Sequence, residues 1–222
     1  MNNPVDLSAA MQRCGLIAIL RGVTPDEVVP IGHVLVEAGF SIIEVPLNSP
    51  DPLQSIRALR DALPPECVVG AGTVTRVQDC AEVAGAGGSL IVMPHSDAAI
   101  IRAAKAAGMY CAPGVATLTE AYAALAAGAD VLKLFPAEAL SPAVLKAWRA
   151  VLRPPVALVP VGGIVPGSVA GYAAAGASGF GLGSALYKPG DTPADVARQA
   201  AAFMQAWRSA YDSAHDSAHT GA

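Results

Sequence analysis

Eight short apolar runs recur along the chain and alternate with longer segments in which alanine and polar residues are mixed. The runs are 16–22, 42–48, 67–74, 90–94, 110–115, 131–136, 156–163 and 179–186. Runs of this length that are apolar on both faces and separated by helical segments predict a parallel sheet covered by helices.

The intervening segments carry the start and stop signals of helices. Thr24-Pro25-Asp26-Glu27 combines an N-cap threonine, a proline at the first helical position and a glutamate three residues after the cap. Glycine directly after an alanine-rich segment, followed at once by an apolar run, indicates a junction from helix to strand. Five stretches show this junction: 37–47, 85–94, 105–115, 125–136 and 173–183.

Eight strand and helix units without a leftover strand predict an α/β protein built as a single compact (β/α)8 TIM barrel. The predicted barrel domain covers residues 1–211, with an N-terminal helix within 1–15 across the barrel bottom and a last helix from Thr192 to about Ala210. The small polar tail 212–222 is predicted to be disordered. The first run is followed by GVTPDE rather than GxGxxG, which disfavours a dinucleotide-binding fold.

Composition narrows the class of partner. The 222 residues are 53% hydrophobic and only 14% charged, with a net charge of -4, so no basic surface indicates nucleic acid or anionic lipid. No signal peptide and no run long enough to span a membrane is predicted. Four scattered cysteines without a CxxC pair suit a reduced, cytoplasmic protein. The expected partner is a small molecule.

Lys133 is the only one of the four lysines that interrupts a predicted strand. Strand alternation places it on the face of Val131 and Phe135, while Leu132 and Leu134 face the helices. A lysine inside the barrel loses its proton more easily, and its neutral amine can attack a ketone to form an imine. The alternative interpretation is a structural lysine paired with a glutamate.

Glu44 interrupts the second strand in the same way. A carboxyl group among apolar neighbours should have a raised pKa and suits general acid-base catalysis, either directly or through one water. A salt bridge from Glu44 to Lys133 or Arg21 is the alternative, and the two interpretations do not exclude each other.

Glycine-rich turns end the last two predicted strands. Gly162, Gly163, Gly183 and Ser184 could bring backbone N–H groups and a helix N-terminus close to a phosphate, as the corresponding region of barrels often does. No spacing of histidine, aspartate or glutamate suggests a metal site, and no cofactor motif is present.

The motifs EVPLNSP, GAGTV, KLFPAE and VGGI, on successive strands, resemble the 2-keto-3-deoxy-6-phosphosugar-acid aldolases, in particular their 6-phosphogalactonate branch. The resemblance runs from about Leu16 to Tyr211. It implies a metal-independent class I aldolase, usually a homotrimer, that cleaves 2-dehydro-3-deoxy-6-phosphogalactonate to pyruvate and D-glyceraldehyde 3-phosphate. It also implies that Lys133 forms the imine and that Glu44 is the acid-base group. By the same resemblance, Thr73 holds the pyruvate carboxylate, and Gly162, Gly163, Gly183 and Ser184 hold the phosphate.

Three positions separate this sequence from the 6-phosphogluconate branch, which resembles EVTLRT at strand two and has threonine before the Gly-Gly of strand seven. Here Asn48 and Val161 occupy those two positions, and Arg21 appears at the end of strand one. The resemblance therefore implies that Arg21 supplies the guanidinium for the substrate carboxylate. Valine at position 161, in place of threonine, lacks a hydroxyl near the substrate C4. This difference should alter the tolerance for the C4 epimer of the substrate.

Other functions stay open on the sequence. The sequence of an aldolase for the gluconate epimer, or of one that accepts both epimers, would differ from this sequence at few positions. A phosphosugar isomerase or synthase on the same barrel could share the phosphate site without needing a strand lysine. A non-catalytic sugar-phosphate binding protein would bind ligand without turnover.

Overall fold

The computed structural model describes residues 6–219, with side chains up to Tyr211. This part of the chain contains nine strands and nine α-helices, which alternate except where β5 and β6 follow one another directly. The strands are β1 Leu16–Ile19, β2 Ile42–Pro46, β3 Val68–Gly72, β4 Leu90–Val92, β5 Tyr110–Ala112, β6 Gly114–Val115, β7 Val131–Leu134, β8 Ala157–Pro160 and β9 Phe180–Leu182. The helices are α1 Leu7–Arg13, α2 Pro25–Ala38, α3 Pro52–Ala62, α4 Val77–Gly85, α5 Ala98–Ala106, α6 Leu118–Ala127, α7 Pro142–Arg149, α8 Pro166–Ala174 and α9 Pro193–His219.

All paired strands are parallel, which confirms the predicted α/β class. One sheet has the order β5-β4-β3-β2-β1-β9 and the other the order β6-β7-β8. The two sheets meet at a single parallel bridge between Val161 and Gly181, beyond the end of β8. The Ser178 N–H also donates to the Leu158 oxygen at 2.8 Å, which holds the approach to β9 against β8.

The fifth predicted strand differs from expectation because it is divided into β5 and β6. Pro113 separates the two pieces, and proline has no N–H to give to the ladder. β5 pairs with β4, whereas β6 pairs with β7 on the other sheet. The hydrogen-bonded ladder is therefore two sheets rather than one continuous eight-stranded sheet.

Alternation along the strands separates two apolar clusters. The outer one lies between the strands and the helices and contains Leu132 and Leu134, as predicted from the sequence. The inner one contains Val131, with Phe135 packed against it, and includes Ile42 of β2. Lys133 and Glu44 therefore lie on the inner face of their strands.

Helix α1 closes one end of the inner cluster, as expected for a helix within 1–15. Leu7 and Ala10 are buried in that cluster, and Asp6 caps the helix by accepting a hydrogen bond from the Ala9 N–H at 3.2 Å. Residues Met1 to Val5 lie outside the described part of the chain.

Local signals at the helix ends act as the sequence predicts. The N–H and hydroxyl of Thr24 both donate to the carboxylate of Glu27, at 3.1 and 2.7 Å. Gly39 and Gly128 end α2 and α6 in the left-handed region, with φ of 110° and 105°.

The end of α9 is a correction. The helix continues to His219, past the predicted end near Ala210, so residues 212–219 are helical and not the disordered tail expected from their composition. No glycine or proline occurs between Ala194 and Thr220, and extending an existing helix adds one hydrogen bond for each residue fixed. The remaining tail residues, 220–222, lie outside the described residues.

No described helix is both long and apolar enough to cross a lipid bilayer.

Candidate active site

Lys133 lies in the middle strand of the smaller sheet, between Gly114 of β6 and Val159 of β8. Its exposed fraction is 7%, which is low for a lysine. The ammonium nitrogen lies 4.5 Å from the centroid of the Phe135 ring, two residues further along the same face. An aromatic face at this distance favours the positive charge of an ammonium group.

Glu44 lies on the inner face of β2, between Ile19 of β1 and Gly70 of β3, and is 2% exposed. Its carboxyl group fills the space over Gly72, where a Cβ would overlap the carboxyl oxygens. Oε2 is buried and accepts no hydrogen bond. A buried carboxylate oxygen without a donor is costly, which indicates a group kept ready for a ligand or a proton.

Lys133 and Glu44 interact through space without forming an ion pair. The ion pairs found among the described residues lie elsewhere, so the alternative of a structural Lys133–glutamate salt bridge is wrong. Burial lowers the pKa of Lys133, against the field of Glu44, which raises it. Burial likewise raises the pKa of Glu44 to about 7, although the positive charges of Lys133 and Arg21 oppose the shift. Desolvation exceeds the mutual attraction for both groups, so each is driven toward its neutral form.

Arg21 is brought to the same rim by the turn after β1. Its Nη1 donates to Asn48 Oδ1 at 2.7 Å and to Thr73 Oγ1 at 3.3 Å, so residues from the ends of three strands meet at one guanidinium. Thr73 has a positive φ of 55°, an unusual backbone for threonine that turns the chain directly after β3. The Gly22 N–H donates to Ser49 Oγ at 2.9 Å and ties the Arg21 turn to the end of β2.

A cavity of about 290 Å³ extends from Arg21 to the glycine-rich turns of β8 and β9. Its lining residues are Ile19, Arg21, Phe135, Glu138, Val161, Gly162, Gly163, Ile164, Val165, Gly181, Gly183, Ser184 and Ala185. The structure therefore brings the four predicted phosphate-binding positions into one cavity with Arg21. Val161 is 7% exposed and would clash with any Cβ at Gly181, so its methyl groups form an apolar part of the wall.

Two residues at the site were not singled out by the sequence. Gly72 provides the space for the Glu44 carboxyl, and Glu138 packs against Gly162 and Gly163. Both stand inside quoted motifs, GAGTV and KLFPAE, but strand periodicity gives no reason to single them out, because neither interrupts a strand with a charge.

The four cysteines are buried, free thiols. Burial raises their pKa values, to about 12 for Cys111, which keeps them in the unreactive thiol form. Within residues 6–211, no three histidine, cysteine, aspartate or glutamate side chains come close enough to hold a metal ion.

Residues 7–198 match the family described as "Aldolase: KDPG and KHG aldolase". This chain belongs to the KDPG and KHG aldolase family. Lys133 and Glu44, on the inner faces of β7 and β2, therefore occur in a chain whose family is named for an aldolase.

Individual relatives agree with the family. The chain is 49% identical to a probable 2-dehydro-3-deoxy-6-phosphogalactonate aldolase from Rhizobium meliloti (strain 1021), over 79% of this chain and 82% of that one. It is 46% identical to the 2-dehydro-3-deoxy-6-phosphogalactonate aldolase of Escherichia coli (strain K12), over 80% and 86% of the two chains. A solved structure described as "Native KDPGal structure" superposes with a TM-score of 0.87 at 46% identity, covering 89% of this chain and 96% of that one.

Proposed function

We propose that this member of the KDPG and KHG aldolase family is a class I aldolase that cleaves 2-dehydro-3-deoxy-6-phosphogalactonate to pyruvate and D-glyceraldehyde 3-phosphate. The observation that carries the proposal is the buried, unpaired Lys133, whose lowered pKa favours the neutral amine. A neutral amine is the form that attacks a ketone.

In the first half of the reaction, Lys133 Nζ attacks the C2 carbonyl carbon of the substrate. The carbinolamine takes a proton from solvent on its hydroxyl, loses water and becomes a protonated imine, which is an electron sink. The later hydrolysis returns that proton to solvent. Glu44, directly or through one water, takes the proton of the C4 hydroxyl. The electrons of the C3–C4 bond then move into the imine, and glyceraldehyde 3-phosphate leaves as the aldehyde. The pKa of Glu44, about 7, suits a group that must both accept and return a proton near neutrality.

In the second half, the enamine left on Lys133 takes a proton at C3 from the acid-base group. One water hydrolyses the resulting imine, which releases pyruvate and returns the free amine. The water lost in forming the imine is balanced by the water used here, and Glu44 ends in its starting state.

The remaining residues bind the two anionic ends of the substrate. Arg21 and Thr73, already hydrogen-bonded to each other, hold the carboxylate next to C2. Gly162, Gly163, Gly183 and Ser184 hold the phosphate at the other end of the cavity. This assignment orients the substrate with its scissile bond between the two ends, above Lys133.

Preference for the galactonate epimer rests on Asn48, Val161 and Arg21, and on the activity for which relatives 46% and 49% identical are named. Val161 offers methyl groups where the gluconate branch has a hydroxyl, so the wall beside C4 is apolar. The second candidate is an aldolase for the 6-phosphogluconate epimer, or for both. We expect a higher kcat/KM for the galactonate epimer in a pyruvate-release assay, and a ratio of one or below assigns the second candidate.

Borohydride reduction in the presence of pyruvate tests the chemistry. We expect a covalent pyruvyl adduct at Lys133 and none at Lys105, Lys146 or Lys188 by peptide mass spectrometry. An isomerase, a synthase or a non-catalytic binder gives no such adduct, and a binder shows ligand stabilisation against heat without turnover. Absence of the Lys133 adduct therefore ends the aldolase proposal.

The proposed enzyme is a single domain over residues 1–211 whose two sheets together close a (β/α)8 barrel. The Val161–Gly181 bridge and the β5–β6 junction, where the two sheets approach each other, support this proposal. We expect a cytoplasmic homotrimer, supported by the low charge of the chain and by exposed apolar side chains such as Tyr122 and Val151. Light scattering coupled to gel filtration measures the oligomer directly.

A further inference from the structure

Glu138 is a charged residue at the glycine end of the cavity that the proposed mechanism leaves unused. It belongs to a short 3₁₀ helix, Ala137–Ala139, that follows β7. The Ala137 N–H donates to the Val161 oxygen at 2.9 Å, so the turn that carries Glu138 is fastened to the strand end where the Gly162-Gly163 turn begins.

The carboxyl group of Glu138 lies against both glycines. A Cβ at Gly163 would stand 3.1 Å from Cδ and 3.1 Å from Oε1 of Glu138, and a Cβ at Gly162 would stand 3.2 Å from Cδ and overlap Oε2. Both glycines have positive φ, 111° and 61°, so the turn itself disfavours other residues. The carboxyl therefore occupies the space that the two missing side chains open, which is the space assigned to the phosphate.

The carboxylate of Glu138 has no close partner among the described residues, although Arg21 lines the same cavity. Within the described part of the chain, Glu138 forms none of the ion pairs, and no described group donates a hydrogen bond to its carboxylate. The side chain is exposed, so it can rotate away without breaking a contact of the core. A carboxylate and a phosphate in one small cavity repel each other, and the repulsion is moderated by solvent.

Resting on the proposed phosphate site, we propose that Glu138 is a specificity-determining residue that weakens the hold of the cavity on phosphate groups. Its carboxylate covers the Gly162-Gly163 turn in the unliganded enzyme, moves aside when the phosphate enters, and repels it afterwards. Free phosphate and other small anions are thereby excluded, whereas the whole substrate, held also at Lys133 and Arg21, still binds. The phosphorylated aldehyde, which lacks the carboxylate end, is released readily.

Calorimetric titration with inorganic phosphate tests the repulsion directly. We expect Glu138→Gln to bind phosphate roughly five- to tenfold more tightly than wild type, because the substitution keeps the shape and removes the charge. Glu82→Gln, which removes another exposed carboxylate, from α4, should leave the affinity unchanged. Equal affinity of Glu138→Gln and wild type overturns the proposal, and weaker binding by Glu138→Gln overturns it in favour of a direct phosphate ligand.

Kinetics separate a phosphate effect from a hydroxyl contact. For the phosphorylated substrate we expect Glu138→Gln to lower KM by a factor similar to the gain in phosphate affinity. Condensation of pyruvate with unphosphorylated glyceraldehyde should keep its wild-type kcat/KM. A drop in that kcat/KM overturns the proposal, because it means that Glu138 contacts the sugar hydroxyls.

Failure of the proposed function gives a different result. If borohydride labels no lysine but Glu138→Gln still binds phosphate more tightly, the aldolase proposal fails and the role of Glu138 stands. If neither wild type nor Glu138→Gln binds phosphate at tens of millimolar, the phosphate site and the role of Glu138 are both wrong.

Discussion

Lys105 and Lys133 each lie near an aromatic ring and interact with a carboxylate, but in opposite environments. Lys105 Nζ, 5.3 Å from the Tyr110 ring centroid, bonds both oxygens of Asp130 at 2.8 and 2.7 Å. The side chains of that pair are 36% and 26% exposed. Lys133 is nearly buried and has no ion pair with Glu44.

The difference shows how one residue type serves two purposes in the same protein. Lys105 Nζ donates hydrogen bonds to both carboxylate oxygens of Asp130, so this ammonium group is held in a surface ion pair. Burial without contact drives both groups toward neutrality and leaves the amine free to react. Asp130 Oδ2 also accepts a hydrogen bond from the Cys111 N–H at 2.8 Å, so its carboxylate has a structural role.

The largest expected effect comes from removing the reactive amine. Lys133→Met should lower kcat/KM for aldol cleavage by at least about 10³-fold, because no imine can form. Lys105→Met is the matched control and should keep wild-type activity. A pyruvate-release assay measures both, and a Lys133→Met enzyme of wild-type activity would end the assignment of Lys133.

The next effect concerns the buried carboxyl. Glu44→Gln should still form the borohydride-trapped imine, but lose roughly 100-fold or more in cleavage. Wild-type kcat/KM should rise as pH increases through about 7, where Glu44 ionises. The pH profile of Glu44→Gln should lack this rising limb. An unchanged pH profile in the variant assigns the limb to another group.

Stability gives an independent measure of the same carboxyl. Because folding raises the pKa of Glu44 from 4.5 to about 7, the folded state holds its proton more tightly than the unfolded state. The stability that neutral Glu44 contributes to the folded state is fully present below about pH 4.5 and is lost as pH rises through 7. Between pH 4.5 and 7.5, wild type should lose about 3 kcal/mol of unfolding free energy relative to Glu44→Gln. Denaturant unfolding at both pH values measures the difference. An equal change in unfolding free energy for wild type and Glu44→Gln would contradict the prediction.

A smaller effect should follow from filling the space under Glu44. Gly72→Ala puts a methyl group where the carboxyl lies, so Glu44 must move, and cleavage should fall by roughly 10- to 100-fold. Gly85→Ala is the control, because a Cβ there meets nothing within 4 Å. If Gly72→Ala keeps wild-type kcat and only loses stability, the position of Glu44 does not depend on Gly72.

The smallest effect belongs to the exposed pair. Lys105→Met should lower the unfolding free energy by no more than about 1 kcal/mol, because exposed ion pairs contribute little. Asp130→Ala should cost more, about 1–3 kcal/mol, because it also leaves the Cys111 N–H without its acceptor. Thermal unfolding measures both, and a larger loss for Lys105→Met would reverse the comparison.

Most of the fold follows from local patterns. Capping residues and glycines mark the helix ends, and each of the eight apolar runs contains a strand. Two departures have physical reasons that local patterns miss. Pro113 breaks the fifth run, because a ladder needs an N–H that proline lacks. Helix α9 runs on to His219, because extending a helix is cheaper than starting one.

The sequence by itself determined which residues face inward, since alternation along β2 and β7 requires Glu44 and Lys133 to share the interior with Ile42 and Val131. Only the tertiary structure decided that the two side chains form no ion pair, that Glu44 Oε2 meets no donor, and that Gly72 gives Glu44 its space. The tertiary structure also decided the position of Glu138. This residue follows β7 and packs over the Gly162-Gly163 turn that follows β8. Periodicity sets the direction of a side chain, but packing between distant segments sets its partners and hence its pKa.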